Sequence, residues 1–200
     1  MTVAGKGLPP KNAEGYADPT PYEAMQRAAR ASIAGKQHRI AGETFERYIQ
    51  SSCDWYREGG IADIEKTPEP MKPLRKPNER GQFLACYTKQ AQPDFGGTLK
   101  GGRSIKFEAK HTDDQRIDRS RLTAEQMDEL ERHHRMGAAC SVLVSFGLQQ
   151  FSMIPWPVWR DMAETYGRKY ITATEAKTFA VPATAGVIKF LRAFRTEEQK

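Results

Sequence analysis

The chain has 200 residues, 38% hydrophobic and 28% charged, with 31 Lys and Arg against 25 Asp and Glu for a formal net charge of +6. That composition excludes a disordered chain, and no apolar run approaches the ~20 residues that a membrane helix needs. Its three cysteines, Cys53, Cys86 and Cys140, are far apart and form no CxxC pair, so they make neither a zinc site by themselves nor a disulfide framework and fit a reduced, cytoplasmic protein.

The first residues carry Pro9, Pro10, Pro19 and Pro21 with few apolar neighbours, and no apolar stretch of a secretory signal follows Lys6. Residues 1–35 therefore read as a flexible arm, with a short helix over Tyr22 to Ala34. From about Arg39 to Arg57, Phe45, Tyr48, Ile49, Cys53 and Tyr56 recur at three- and four-residue steps, one face of a helix that Gly59-Gly60 ends. A short strand follows at Ile61 to Ile64.

Thr67 to Gly81 contains Pro68, Pro70, Pro73 and Pro77, a density that predicts irregular structure. It lies between strand segments, so it is an excursion from a sheet, of a length that usually serves a function. It is also basic. Lys66, Lys72, Arg75, Lys76, Arg80 and Lys89 face only Glu69 and Glu79, and six minus two gives +4, most of the excess of the whole chain. Such a patch suits the phosphates of a nucleic acid.

Phe83 to Tyr87 resumes strand character, and its aromatics, Phe83 and Tyr87, read as core residues, with stacking on bases as the alternative. Phe95 to Leu99 and Ser104 to Ala109 flank Lys100-Gly101-Gly102 as a hairpin. Thr123 with Gln126 three residues on is a capping-box pattern, opening a helix that runs to about Met136 and stops at Gly137. Cys140 to Phe146 is the most apolar strand and is expected in the middle of the sheet. Phe151 to Ile154 is another strand, and Pro155 or Pro157 opens a helix with Trp156, Val158, Trp159 and Met162. The order predicts an α/β, or α+β, fold with a mixed sheet and helices on its faces. The domain is expected over 36–166, with an extension at 167–200 whose structure the sequence leaves open.

One constellation carries chemistry. Asp94 follows Pro93 before the hairpin, and Glu108 and Lys110 lie two apart on its second strand, on one face, while Ile105 and Phe107 take the other. Two carboxylates a few ångströms apart repel, and a divalent cation with a preference for hard oxygen ligands removes that cost. The cation can activate water and neutralise a phosphate, and a lysine beside it can orient the water or stabilise charge on phosphorus. The same three residues also admit a plain reading as a surface ladder in which Lys110 pairs with Glu108.

These segments, taken in order, resemble the RecU-type Holliday junction resolvases, a branch of the PD-(D/E)XK nucleases. The resemblance covers about Lys36 to Met162. It rests on Gly42-Glu43-Thr44-Phe45-Glu46, Gly60 through Pro70, Pro93-Asp94-Phe95-Gly96-Gly97, Ile105 through Thr112, Gln126 and Val142 through Phe146. It implies that Asp94 and Glu108 bind Mg²⁺, with Mn²⁺ as a substitute, that Lys110 is the catalytic lysine, and that Gln126 completes the metal environment. Glu46 matches the acidic residue of the first helix. Gln92 stands where the family usually has threonine, a departure that bears on one metal contact. As plain alternatives, Gln126 is the capping partner of Thr123 and Glu46 is a solvated helix residue.

The resemblance further implies a stalk at about 67–81 that enters the open centre of a four-way DNA junction, with Lys66, Lys72, Arg75, Lys76, Arg80 and Lys89 as DNA contacts. The expected function is paired nicking of Holliday junctions by a homodimer, since two symmetric cuts need two active centres. Two alternatives stay open: an endonuclease of the same fold acting on another DNA, and a junction-binding protein that does not cleave.

Overall fold

The structure is a computed structural model and describes residues 20–68, 71–87 and 92–194. The chain divides into two units, residues 1–40 and 41–200. In the first, the described residues from Pro21 onward are helical and largely exposed. All the remaining elements belong to the second.

Helix α1 spans Pro21–Glu58. The sequence separates a short helix from a longer one; the structure has a single helix. The alanine-rich run from Ala24 to Ala34 has high helix propensity, and no proline interrupts it, so the helix continues through Gly35 and Gly42. Of the expected arm, residues 1–19 lie outside the described residues and 21–35 belong to α1. Beyond residue 41 the helix buries the predicted face, Phe45, Ile49, Cys53 and Tyr56.

The main sheet comprises β1 (Ala62–Lys66), β4 (Phe95–Leu99), β5 (Ser104–Thr112), β7 (Ala139–Phe146) and β8 (Gln150–Pro155), in the order β1-β4-β5-β7-β8. Strands β5 and β7 are parallel and the other pairs antiparallel, so the sheet is mixed, as the sequence predicts. The parallel pair is joined through helix α2 (Ala124–Arg135), which lies on the opposite face from α1. Covered on both sides, β7 is buried along its whole length.

Alternation on β5 sets up the site. Ile105 and Phe107 enter the core on the α1 side, where Phe107 stacks on Phe95 at 5.1 Å, and Glu108 and Lys110 take the α2 side. Gly101 (φ 98°) and Gly102 (φ 92°) make the hairpin turn, conformations that a side chain resists. Gly97 serves close packing of β4 on β1: a Cβ there would lie 2.0 Å from the Asp63 carbonyl oxygen.

The proline-rich excursion differs from its expected form. Short strands β2 (Met71–Pro73) and β3 (Ala85–Tyr87) pair antiparallel outside the main sheet. Pro73 sits at the end of its strand, where a missing N–H costs little. The residues around Phe83 thus belong to this separate two-stranded segment and not to the core, and Phe83 and Leu84 are exposed.

The region after Gly167 is more ordered than the sequence reveals. Helices α3 (Trp156–Arg160) and α4 (Met162–Tyr166) divide the single helix expected there at Asp161, whose carboxylate pairs with Arg160. Strand β9 (Tyr170–Thr172) pairs with β6 (Arg116–Asp118), α5 spans Ala173–Ala176, and β10 (Ala183–Thr184) pairs with β11 (Val187–Ile188). Phe190 packs against Tyr56 and Phe107, the Ile188 N–H donates to Ser52 Oγ at 2.7 Å, and the Leu191 N–H donates to Tyr56 Oη at 3.0 Å. Residues through 194 therefore close the core on the α1 side. Among the described residues no helix is long and apolar enough to cross a membrane.

Candidate active site

Asp94 sits just before β4, held where its Oδ2 accepts the Ala109 backbone N–H at 2.9 Å. That bond ties the first carboxylate to the strand that carries the other two side chains. Glu108 is fully buried. Its Oε2 accepts from Lys110 Nζ at 2.8 Å and from Gln126 Nε2 at 2.7 Å. Lys110 Nζ also lies 3.5 Å from Asp94 Oδ2. Asp94, Glu108, Lys110 and Gln126 are thus gathered around one point.

The electrostatics are unusual for a carboxylate so well supplied with donors. Burial, and then the negative charge of Asp94, push the Glu108 carboxyl up from 4.5 to about 7, with Lys110 opposing both. Its other oxygen, Oε1, is buried without a hydrogen-bond partner among the described residues. A buried carboxylate oxygen without a donor is costly, and a cation shared with Asp94 would satisfy it. No group of three or more His, Cys, Asp or Glu is assembled among the described residues. Asp94 and Glu108 supply the hard carboxylate oxygens that a divalent cation prefers.

Gln126 does two things at once. In the capping box at the start of α2, its backbone N–H donates to Thr123 Oγ1 and its Oε1 accepts from the Thr123 N–H at 3.2 Å. The carbonyl oxygen being taken, the side chain presents its NH₂ to Glu108. It is a donor that orients the carboxylate, with its oxygen turned to the cap.

The remaining predicted residues take no part in the hydrogen bonds of this group, although Lys66 is the register partner of Phe95, next to Asp94. Glu46 pairs with Lys66 at 2.5 Å, both side chains about half exposed. Gln92 is exposed, two residues before Asp94. Lys72, Arg75, Lys76 and Arg80 are exposed on the β2–β3 segment, and Lys89 lies outside the described residues. The sequence draws no attention to the run Arg116-Ile117-Asp118-Arg119-Ser120-Arg121, which begins four residues after the end of β5. Its signal is three arginines within six residues of one another and a few positions beyond Lys110.

The fold and this group define a class: a mixed-sheet α/β protein with two carboxylates and a lysine converging on one strand. The model of the family "Recombination protein U" matches residues 40–196, and the chain belongs to that family. It is 30% identical over 122 residues to the Holliday junction resolvase RecU of Streptococcus gordonii, covering 58% of this chain and 60% of that protein. It is 32% identical over 136 residues to the Holliday junction resolvase RecU of Streptococcus pneumoniae strain Hungary19A-6, covering 65% and 68%. Among solved structures, the Holliday junction resolvase Hjc of Archaeoglobus fulgidus matches with a TM-score of 0.45 and 13% identity, over 74% of this chain and 98% of that one.

Proposed function

We propose that the chain is a divalent-cation-dependent DNA endonuclease that nicks four-way junctions, with Asp94, Glu108 and Lys110 as its catalytic centre. One observation carries this reading: a buried Glu108 with an unpartnered oxygen, next to a second carboxylate and a lysine. Structure alone gives such a cluster little reason to exist, because burying it unneutralised is expensive. The resolvase names of the two streptococcal relatives support the substrate.

A bound cation, Mg²⁺ or in its place Mn²⁺, would activate a water and neutralise charge on the scissile phosphate. Asp94 and Glu108 would hold it. Asp94 is fixed by the Ala109 N–H and Glu108 by Gln126, so both carboxylates are oriented before the substrate arrives. Lys110 is close enough to both to stabilise the negative charge that builds on phosphorus or to orient the attacking water. Gln92, at the position where the family carries threonine, would reach a metal-bound water only through its amide.

The projection carrying Lys72, Arg75, Lys76 and Arg80 would contact the branch point. Paired nicking requires two active centres, and a symmetric homodimer supplies them. A synthetic four-way junction tests the reading. It should be nicked by the full chain with Mg²⁺ and left intact with EDTA, while a matched linear duplex is cut far more slowly. Equal cutting of both would point to a nuclease of another DNA; no cutting of either, with junction binding retained, would point to a binding protein.

A further inference from the structure

Strand β6 alternates. Ile117 and its partner Ile171 on β9 are buried in the core beneath α2, together with Val142 and Val144 of β7. Val142 and Val144 are the register partners of Glu108 and Lys110. The β6–β9 ladder is therefore packed on the same face of the main sheet as the catalytic side chains. Its outward side carries Arg116.

Two guanidiniums lie against one ring of this ladder: Arg116 Cζ, on β6, and Arg168 Cζ, just before β9, are each 4.7 Å from the centroid of Tyr170. They are not equivalent. Arg168 Nη2 donates to both oxygens of Glu175 at 2.6 Å, so its charge is neutralised and it acts as a brace for the ring. Arg116 is exposed and has no carboxylate partner among the described residues. The same is true of Arg121, whose Nη2 donates to the His111 carbonyl at 3.1 Å. His111 follows Lys110 directly, so this contact fixes an uncompensated cation at the end of the strand that carries the catalytic pair.

We propose that Arg116 and Arg121 form a clamp for the phosphates of the duplex arm leading into the active centre. The proposal rests on the reading of the chain as a DNA nuclease and adds where the arm lies. Each guanidinium is held from one side, by a ring or by a carbonyl, and keeps further N–H donors for a phosphate oxygen. Holding lowers the ordering cost of binding. Asp118 lies exposed between them on the outward side, so the clamp is two separate grips with a repulsive gap. Such grips read the backbone and not the branching, unlike the β2–β3 projection.

The test measures binding of the full chain to a linear duplex and to a four-way junction with the same arms. Binding is followed by fluorescence anisotropy in EDTA from 50 to 200 mM salt. The double variant R116A/R121A should flatten the log-log salt slope by about 1.8 on both DNAs, two phosphates at about 0.9 each. Over that salt range the wild type should then lose roughly tenfold more affinity than the variant. The variant R116Q/R121Q, which keeps an amide donor at each place, should give the same change and guards against a folding defect in the first. An unchanged slope, or a loss confined to the junction, overturns the clamp. Nicking of the junction by the wild type with Mg²⁺ is scored separately. Cleavage with an unchanged slope removes the clamp and keeps the nuclease reading; a flattened slope without cleavage does the reverse.

Discussion

Gln126 Nε2 donates to Glu108 Oε2 at 2.7 Å while Gln126 Oε1 accepts the Thr123 N–H at 3.2 Å, so one amide joins the cap of α2 to the buried carboxylate of the candidate centre. Each end of the amide fixes the other: the cap demands an acceptor and the carboxylate a donor. Two substitutions separate the roles. Thr123→Ala should lower stability by about 1 kcal/mol through loss of the cap and leave the dependence on cation unchanged. Gln126→Ala should cost a similar amount of stability and also raise the Mg²⁺ concentration for half-maximal nicking about tenfold, because the carboxylate loses its orienting partner. Identical Mg²⁺ titrations for the two variants would reduce Gln126 to a capping residue.

Asp94→Asn, Glu108→Gln and Lys110→Ala should each reduce nicking of a four-way junction by at least about a hundredfold, the usual scale for losing a group that acts in the transition state. Binding to the junction should persist in all three. For the two carboxylate variants it should hold or tighten, since a charge that repels phosphate has gone. A wild-type rate for Asp94→Asn in Mg²⁺ would remove the proposed centre.

Without a cation, Glu108 should make stability depend on pH. Its carboxyl is raised from 4.5 to about 7 in the folded protein by burial and by Asp94, so between those values the folded state binds more protons than the unfolded one. The stabilisation is complete below 4.5 and is lost as pH rises through 7. In EDTA the wild type should therefore lose stability from pH 5 to pH 8 relative to Glu108→Gln, by on the order of 3 kcal/mol at most. Mg²⁺ at pH 8 should reverse the order by binding the folded wild type. Thermal melts of the two proteins with and without Mg²⁺ measure this, and parallel pH profiles in EDTA would contradict it.

The parts of the fold governed by local periodicity were legible in the sequence. The alternation Ile105-Lys106-Phe107-Glu108 states which face of β5 is core, and Thr123 with Gln126 states where α2 begins. What was not legible depended on distant partners. Met71–Pro73 is a strand only because Ala85–Tyr87 lies beside it, and proline content alone argues the other way. Phe190 and Ile188 are core residues because they meet Tyr56 and Ser52, more than a hundred residues earlier. At the site, the spacing of Glu108 and Lys110 announces a shared face, but the bond from Ala109 N–H to Asp94 and the unpartnered Oε1 of Glu108 are tertiary facts. Gln126 illustrates the limit: the sequence offers a cap or a site residue, and the geometry joins the two roles.

The projection gives the last prediction. Lys72, Arg75, Lys76 and Arg80 are exposed on or between β2 and β3, and the ladder Met71–Pro73 with Ala85–Tyr87 holds the base of this segment in a fixed form. A preformed basic protrusion loses less entropy on binding than a free loop, and its prolines limit the states it gives up. At a four-way junction phosphates converge from several strands, so a protrusion that enters there meets more charge than it would along a linear duplex. Replacing the four basic residues by Ala should flatten the salt slope, by up to about 0.9 for each phosphate no longer neutralised, and weaken junction binding more than duplex binding. Any DNA still bound should be nicked at the wild-type rate, because Asp94, Glu108 and Lys110 are untouched. The contrast with R116A/R121A is the decisive comparison: that pair should weaken both DNAs by one factor, and the projection variant should weaken them by two different ones. If the projection variant also weakens the two DNAs equally, the segment is a general anion surface and branch recognition lies elsewhere in the protein.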